Sequence, residues 1–366
     1  MKGKLLASFF LVLVVACLGV VGWQALTHPQ TVTVTPTTPM ETTPPTPATT
    51  TVTPTPTVKP EEFFTYSIYF TPNPQVETRM IELINGAQSY IYAAFYDLDL
   101  PSVAGALINA KGRGVDVRVV VDSDNMDNPA VNRLRAAGVA VGDEDKDYMH
   151  NKFMIVDGRL VWTGSMNITY NGVNRNNNNV VVIGGSSQLV ENYEQEFAEL
   201  WMGTYGGGAS VLYPEIIIAE DFTVEVYFAP EDGVEAQIIE EIEKAERNVY
   251  FATFTFTSKP IAKALIEKAR QGVTVKGIYE SFQAGGRYST YSLLKVSGIE
   301  VIKDRNPAVM HHKFFVIDSE TVITGSFNPT KHANVDNDEN IIIIHNPQVA
   351  QQFTAEFERL WAEWHN

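Results

Sequence analysis

The chain has 366 residues, of which 45% are apolar, so it is long enough to bury one large core or two smaller ones. Its formal net charge of −16 offers little long-range attraction for DNA or RNA, although an acidic protein can still carry a local basic site. The single cysteine, Cys17, excludes an intrachain disulfide and a cysteine-based metal site in the rest of the chain.

The first predicted element is an apolar segment at residues 1–27. Lys2 and Lys4 precede an apolar run that is close to the length of a membrane-crossing helix. A cleaved signal peptide is the alternative, but no small-x-small cleavage site follows the run. We therefore expect a membrane anchor, and the two lysines predict that the body of the protein lies outside the cytoplasm. A secreted protein is the alternative location.

Residues 28–62 are rich in Thr and Pro and nearly free of charge. Such a composition cannot form a packed core, and its prolines favour extended conformations. We expect a disordered linker between the apolar segment and the body.

The body is an internal duplication, predicted to form one half at residues 63–209 and a second at residues 210–366. Residues 68–70 correspond to residues 226–228 at an offset of 158, which becomes 161 after a short insertion. A period of this length indicates a duplicated domain and is too long for a solenoid repeat.

Helical and strand patterns alternate within each half. Apolar residues have helical spacing at 76–87 and 189–201, and strand-like runs occupy 90–95 and 115–121. The second half repeats this order. Alternation of this kind indicates an α/β fold, so we expect two tandem homologous α/β sandwich domains.

A longer motif, His-x-Lys-x4-Asp-x6-Gly-Ser-x-Asn, occurs once in each half. The first copy consists of His150, Lys152, Asp157, Gly164, Ser165 and Asn167, and the second of His311, Lys313, Asp318, Gly325, Ser326 and Asn328.

The residue types of this motif suit a phosphate. Histidine exchanges protons near neutral pH and can act as a nucleophile, lysine supplies positive charge, and Ser and Asn donate hydrogen bonds. In an extended segment His150 and Lys152 point to the same face, as do His311 and Lys313. The Asp residues precede turns, so turn stabilisation is the favoured role for Asp157 and Asp318.

The doubled motif resembles that of the phospholipase D superfamily, whose members act as phosphodiesterases on phospholipids or nucleic acids. The resemblance implies two phospholipase D-like halves related by a pseudo-twofold axis and sharing one site. It also implies that Asn337 and Glu339 form an Asn-x-Glu element whose carboxylate orients a catalytic histidine of the other half. At the corresponding position of the first half stands Asn178, which carries no charge, so the two histidines are not equivalent. Capping of the following strand is the alternative role for this Asn-rich element.

The resulting hypothesis is a phosphodiesterase that hydrolyses phospholipids through a phosphohistidine intermediate. His150 is the expected nucleophile and His311 the expected acid and base, with Glu339 orienting His150. The groups expected to hold the phosphate oxygens are Lys152, Lys313, Asn167, Asn328, Ser165 and Ser326. Because one chain supplies both motifs, we expect a monomer that needs no metal or cofactor.

Two other functions remain open at this point. A metal-independent endonuclease could use the same residues, and a noncatalytic phosphate-binding surface protein could retain them without turnover. Residues 282–291, which are rich in Gly and aromatic side chains, have no counterpart of similar composition in the first half and could form either a substrate-pocket wall or an ordinary loop.

Overall fold

The structure is a computed structural model that describes residues 64–142 and 147–365 together with a two-residue strand at Val32–Thr33. The predicted apolar segment at residues 1–27 and most of the predicted linker at 28–62 lie outside the described residues.

The first half contains an eight-stranded mixed sheet with the order β1-β2-β8-β7-β6-β3-β4-β5. Its elements are β1 (Val32–Thr33), β2 (Thr65–Phe70), α1 (Gln75–Gly86), β3 (Tyr90–Phe95), α2 (Pro101–Gly112), β4 (Asp116–Val121), a 3₁₀ turn (Ser123–Asn125), α3 (Pro129–Ala136), β5 (Ala140–Gly142), β6 (Lys152–Val156), β7 (Leu160–Gly164), α4 (Tyr170–Asn174), β8 (Asn179–Gly184) and α5 (Ser187–Trp201). Strands β3, β4 and β5 are parallel, and the remaining neighbours pair antiparallel.

The second half repeats this sheet with the order β13-β12-β11-β14-β15-β16-β10-β9. Its elements are β9 (Glu215–Ala219), β10 (Phe222–Ala229), α6 (Val234–Lys244), β11 (Asn248–Thr253), α7 (Lys259–Arg270), β12 (Thr274–Tyr279), α8 (Ser281–Ala284), α9 (Tyr291–Val296), β13 (Glu300–Lys303), β14 (Lys313–Ile317), β15 (Thr321–Gly325), α10 (Lys331–Val335), β16 (Glu339–His345) and α11 (Pro347–Trp364).

Local sequence signals set where the long helices begin. The side chain of Ser186 accepts a hydrogen bond from the N–H of Leu189 at the start of α5. Asn346 accepts one from Val349 at the start of α11, where Pro347 occupies the first turn. These caps satisfy N–H groups that have no partner inside the helix.

The two sheets face each other across a shared core that contains α5 and α11. Apolar side chains from both sheets meet these helices in one continuous cluster, in which Tyr193 and Phe353 are fully buried. The remaining long helices cover the outer face of each sheet and form separate clusters. The predicted pair of tandem α/β domains is therefore confirmed, and the shared core fixes the two halves relative to each other.

The sequence also predicted a membrane-anchored body outside the cytoplasm. Within residues 64–142 and 147–365, no helix has both the length and the apolar composition needed to cross a bilayer. The prediction of that location is contradicted by this finding and is withdrawn.

Candidate active site

The two motif histidines lie where the halves meet. The backbone N–H of His150 donates to the carbonyl of Asp338 at 2.9 Å, and that of His311 donates to the carbonyl of Asn177 at 2.8 Å. Each histidine lies two residues before the lysine that begins β6 or β14. Its backbone is thus hydrogen-bonded to the Asn-rich segment of the other half. The halves are joined at the site itself.

The His150 side chain is directed by a carboxylate of the second half. Its Nδ1 lies 2.7 Å from Oε2 of Glu339, and the residue is only 8% exposed. Because the carboxylate accepts a hydrogen bond, it holds the proton on Nδ1 and leaves a lone pair on Nε2. The ring of Tyr96 packs edge-on against the imidazole, with centroids 4.8 Å apart.

The His311 side chain has a neutral partner in the equivalent position. Its Nδ1 lies 2.8 Å from Oδ1 of Asn178 and 3.1 Å from the carbonyl oxygen of Ser165. Phe254 packs against the ring with centroids 4.8 Å apart. These two acceptors favour a hydrogen on Nδ1 of His311, although Nζ of Lys313 also lies 3.3 Å from that atom, and no carboxylate stabilises a second proton on the ring.

The two lysines are buried beside the histidines. Nζ of Lys152 donates to the carbonyl of His150 at 2.6 Å, and Nζ of Lys313 lies 3.1 Å from both the carbonyl oxygen and Nε2 of His311. Burial lowers the pKa of Lys152 to about 7 and holds the pKa of Lys313 well below its ordinary value. A bound phosphate would favour the charged form of both side chains.

Burial also sets the charge state of the other groups. It lowers the pKa of His150 and His311 well below the ordinary range, and the nearby lysines lower it further. Burial raises the pKa of Glu339 to about 7, against the opposing effect of Lys152. The site therefore holds several groups with strongly shifted pKa values, as catalytic sites commonly do.

The Gly-Ser turns support the groups behind each histidine. The hydroxyl of Ser165 accepts from the N–H of Asn179 at 3.0 Å, and that of Ser326 accepts from the N–H of Asn340 at 2.9 Å. Gly325 has φ 144°, and a Cβ there would lie 2.2 Å from the carbonyl oxygen of Asn340. Only glycine allows β15 to pass that close to β16.

The two motif asparagines provide unused polar atoms near this arrangement. Oδ1 of Asn167 and Oδ1 of Asn328 are both buried and accept no hydrogen bond in the part of the chain that the structure describes. Buried polar atoms of this kind usually have a partner. Each of these oxygens can accept a hydrogen bond from a donor that the described residues do not supply.

The motif aspartates are not brought to the site. They follow the last residues of β6 and β14, at the ends opposite the histidines. The Asp157 carboxylate accepts from the backbone N–H groups of residues 88–90, and the Asp318 carboxylate from those of residues 246–248. Each aspartate thus fixes the turn that leads into the neighbouring central strand.

A second set of polar residues, which was not predicted to belong to the site, forms hydrogen bonds between the halves. Thr163 donates to Oδ1 of Asn340 at 2.8 Å, and Thr324 donates to Oδ1 of Asn179 at 2.7 Å. His312 is fully buried, and its ring nitrogens lie near Asn179 and Glu356. The identity of Asn179 and Asn340 at one offset was the sequence signal for this network.

One protein family matches both halves of the chain. The family described as "Cardiolipin synthase, PLD-like domain" matches residues 80–201 and again residues 238–361. The chain is 34% identical over 133 residues to a protein of Xenopus laevis named mitochondrial cardiolipin hydrolase, covering 36% of this chain and 63% of that protein. It is 34% identical over 130 residues to a phospholipase D of Rickettsia typhi, covering 36% of this chain and 64% of that protein.

These alignments span less than two thirds of the length of either relative. A solved structure of phosphatidylserine synthase from Haemophilus influenzae aligns with 81% of this chain and 85% of its own, with a TM-score of 0.61 and 13% sequence identity. That similarity shows the fold, including both halves. The family matches one region in each half, and the two regions together make up more than half of the chain. The chain therefore belongs to the phospholipase D superfamily, with one PLD-like domain in each half.

Proposed function

We propose that the protein is a phosphodiesterase that hydrolyses phospholipids through a covalent phosphohistidine on His150. The observation that carries this proposal is the pairing of each motif histidine with a residue of the other half, His150 with Glu339 and His311 with Asn178. Such an arrangement makes one shared site in which the two imidazoles have different partners and can perform different steps.

The first step forms the covalent intermediate. Nε2 of His150 attacks phosphorus, and the bond from phosphorus to the head-group oxygen breaks. Positive charge develops on the imidazole during attack, and the Glu339 carboxylate, 2.7 Å from Nδ1, stabilises that charge. Because Glu339 stabilises a charged His150, we assign the role of nucleophile to His150, the histidine of the first half.

Proton transfer is assigned to His311. Its pKa is lowered by burial and by the two lysines, and its partner Asn178 offers no negative charge. An imidazolium at this position therefore releases its proton readily to the departing oxygen. In the second step His311 takes a proton from water, which attacks the phosphorus, releases phosphatidic acid and restores His150.

Four side chains suit the non-bridging oxygens of the phosphate. Lys152 and Lys313 approach from the two halves, and both are buried, so their charge acts on the phosphate with little screening by water. The amide groups of Asn167 and Asn328 can donate hydrogen bonds to the same oxygens. These contacts strengthen as negative charge accumulates in the transition state.

The choice of phospholipid over nucleic acid has separate support. The names of the Xenopus laevis and Rickettsia typhi relatives refer to a lipid hydrolase and a phospholipase. The net charge of −16 also argues against a broad basic surface of the kind that binds a nucleic-acid backbone.

The test is the purified full chain on two sets of substrates. One set contains phosphatidylcholine, phosphatidylglycerol and cardiolipin, and the other contains single-stranded and double-stranded DNA and RNA, each with and without a chelator. We expect phosphatidic acid from lipid, unchanged by the chelator because lysines supply the positive charge, and no product from the His150→Ala variant. Faster cleavage of nucleic acid than of any lipid, falling steeply with salt, would contradict the lipid assignment.

A further inference from the structure

The segment at residues 281–290, here called the rim segment, has exposed aromatic side chains that the catalytic mechanism does not use. Phe282 is 84% exposed and Tyr288 is 70% exposed. The guanidinium of Arg287 lies over the Tyr288 ring, 5.5 Å from its centroid. Exposed apolar side chains that are grouped together and bordered by polar residues commonly mark an interaction surface.

The rim segment begins and ends beside the active site. Tyr279, at the end of β12, pairs with Thr253, which in turn pairs with Lys313. The rim segment therefore leaves the sheet at the end of the strands where Lys313 lies. At its other end the N–H of Thr290 donates to the carbonyl of Phe256 at 3.0 Å, two residues beyond Phe254, which packs on His311.

Other basic residues lie on segments that adjoin the rim segment. The N–H of Ser281 donates to Oδ1 of Asp304 at 2.6 Å, which fixes the start of the rim segment against the end of β13, where Lys303 and Arg305 are exposed. The side chain of Asn306 then donates to the carbonyl of Arg175 in the first half, at 3.0 Å. Exposed Lys303, Arg305 and Arg175 are thus carried on segments that hydrogen bonds join to the rim segment.

The rim segment itself, residues 281–290, contains no acidic residue. Residues 281–299 contain no Asp or Glu, and the flanking Glu280 and Asp304 are buried; Glu300, at the other end of β13, is exposed and lies 3.8 Å from Nζ of Lys276. The corresponding segment of the first half, residues 122–128, has the opposite character, because Asp124 and Asp127 are exposed there. A chain with an excess of acidic residues thus presents positive charge and exposed aromatic rings together along the second-half side of its site.

We propose that the rim segment, with Lys303, Arg305 and Arg175, docks the protein on an anionic lipid bilayer. Aromatic side chains favour the boundary between lipid head groups and acyl chains, and each adjacent Lys or Arg adds electrostatic attraction to anionic lipid. The inference rests on the proposed function, since docking at this edge brings bilayer lipid to His311. Beyond that function, the inference names the surface of the protein that contacts the bilayer and the lipid charge, negative, that this contact requires.

Vesicle cosedimentation of the full chain tests this surface, in a His150→Ala background so that lipid is not consumed. The probes are vesicles of phosphatidylcholine alone and of equal parts phosphatidylcholine and phosphatidylglycerol. We expect binding only to the anionic vesicles, weakened about fivefold or more by Arg287→Glu and about tenfold by Phe282→Ser with Tyr288→Ser. The matched controls, Lys263→Glu on α7 and Ile217→Ser on β9, alter exposed residues elsewhere and should bind as the parent does.

A second measurement separates docking from chemistry. With the native His150, the rim variants should hydrolyse a water-soluble p-nitrophenyl phosphodiester at the parental rate while losing activity on anionic vesicles. Parental vesicle binding by the rim variants, or equal losses in the controls, would overturn the docking surface and leave the proposed function standing. Rim-dependent vesicle binding without lipid hydrolysis would instead refute the proposed function alone. If the rim variants bound vesicles as the parent does but lost binding to DNA, the rim segment would be a nucleic-acid surface and the proposal would be refuted.

Discussion

Nδ1 of His150 lies 2.7 Å from Oε2 of Glu339, which belongs to the other half of the chain. In the equivalent pair, Nδ1 of His311 lies 2.8 Å from Oδ1 of the neutral Asn178. The duplicated sheets therefore build a site whose backbone is nearly symmetrical and whose charges are not. That difference in charge separates the roles of the two histidines.

Replacing Glu339 with Gln tests the role of the carboxylate. The substitution keeps a hydrogen-bond acceptor but removes the charge that stabilises the His150 imidazolium, so we expect kcat to fall about 10²- to 10⁴-fold. The matched control is Glu196→Gln. Glu196 is also buried, and burial raises its pKa well above the ordinary value, so Gln reproduces its protonated form. Equal kcat values in the two variants would contradict the role of Glu339.

Glu339 also makes stability depend on pH. Burial raises its pKa from 4.5 to about 7, so between these values the folded protein retains a proton that the unfolded chain has released. This contribution is complete below pH 4.5 and is lost as the pH rises through about 7. Relative to Glu339→Gln, the free energy of unfolding of the parent should therefore fall on the order of 3 kcal/mol across that range. Urea titrations at several pH values measure the difference, and a constant difference would contradict burial of an ionisable carboxyl.

The motif chemistry and its duplication could be predicted from sequence, because His150, Lys152 and their repeats lie in short segments with fixed spacing. The separation of the motif aspartates from the site also follows from their position before a turn. The repeat identity of Asn179 and Asn340 marked two members of the network around His312, but their partners could not be predicted, since Asn179 meets His312 only after the halves pack. Sequence distance carries no information about which buried polar groups become partners across an interface.

The cross-half hydrogen bonds should contribute to stability as a set. Asn340→Ala removes the acceptor for Thr163 and the side-chain donor to Asn151, leaving buried polar groups unsatisfied. We expect the free energy of unfolding to fall by about 1–3 kcal/mol, and the shared core to keep unfolding in a single transition. The control is Asn174→Ala, which removes only an exposed hydrogen bond and should change stability by less than about 0.5 kcal/mol. Two separate transitions in the parent would contradict a common core.

Gly325 offers a test of the close approach between β15 and β16. A Cβ at this position would lie 2.2 Å from the carbonyl oxygen of Asn340, and φ is 144°. Gly325→Ala should therefore cost about 3 kcal/mol or more and displace Ser326. Gly112→Ala at the end of α2 has no heavy atom within 4 Å of the new Cβ, so it should leave thermal unfolding unchanged or raise its midpoint. Equal melting temperatures for the two variants would contradict the packing described here.

The most direct measurement is the position of the covalent phosphoryl group in the His311→Ala variant. A phosphatidyl ester with a p-nitrophenol leaving group needs no acid for the first step, so attack by His150 should proceed, whereas hydrolysis lacks its base. After reaction with the phosphorus-labelled ester and quenching, we expect mass spectrometry to find the label on His150. Unlabelled protein in this variant, or label on His311 in the His150→Ala variant, would contradict the assigned roles of the two histidines.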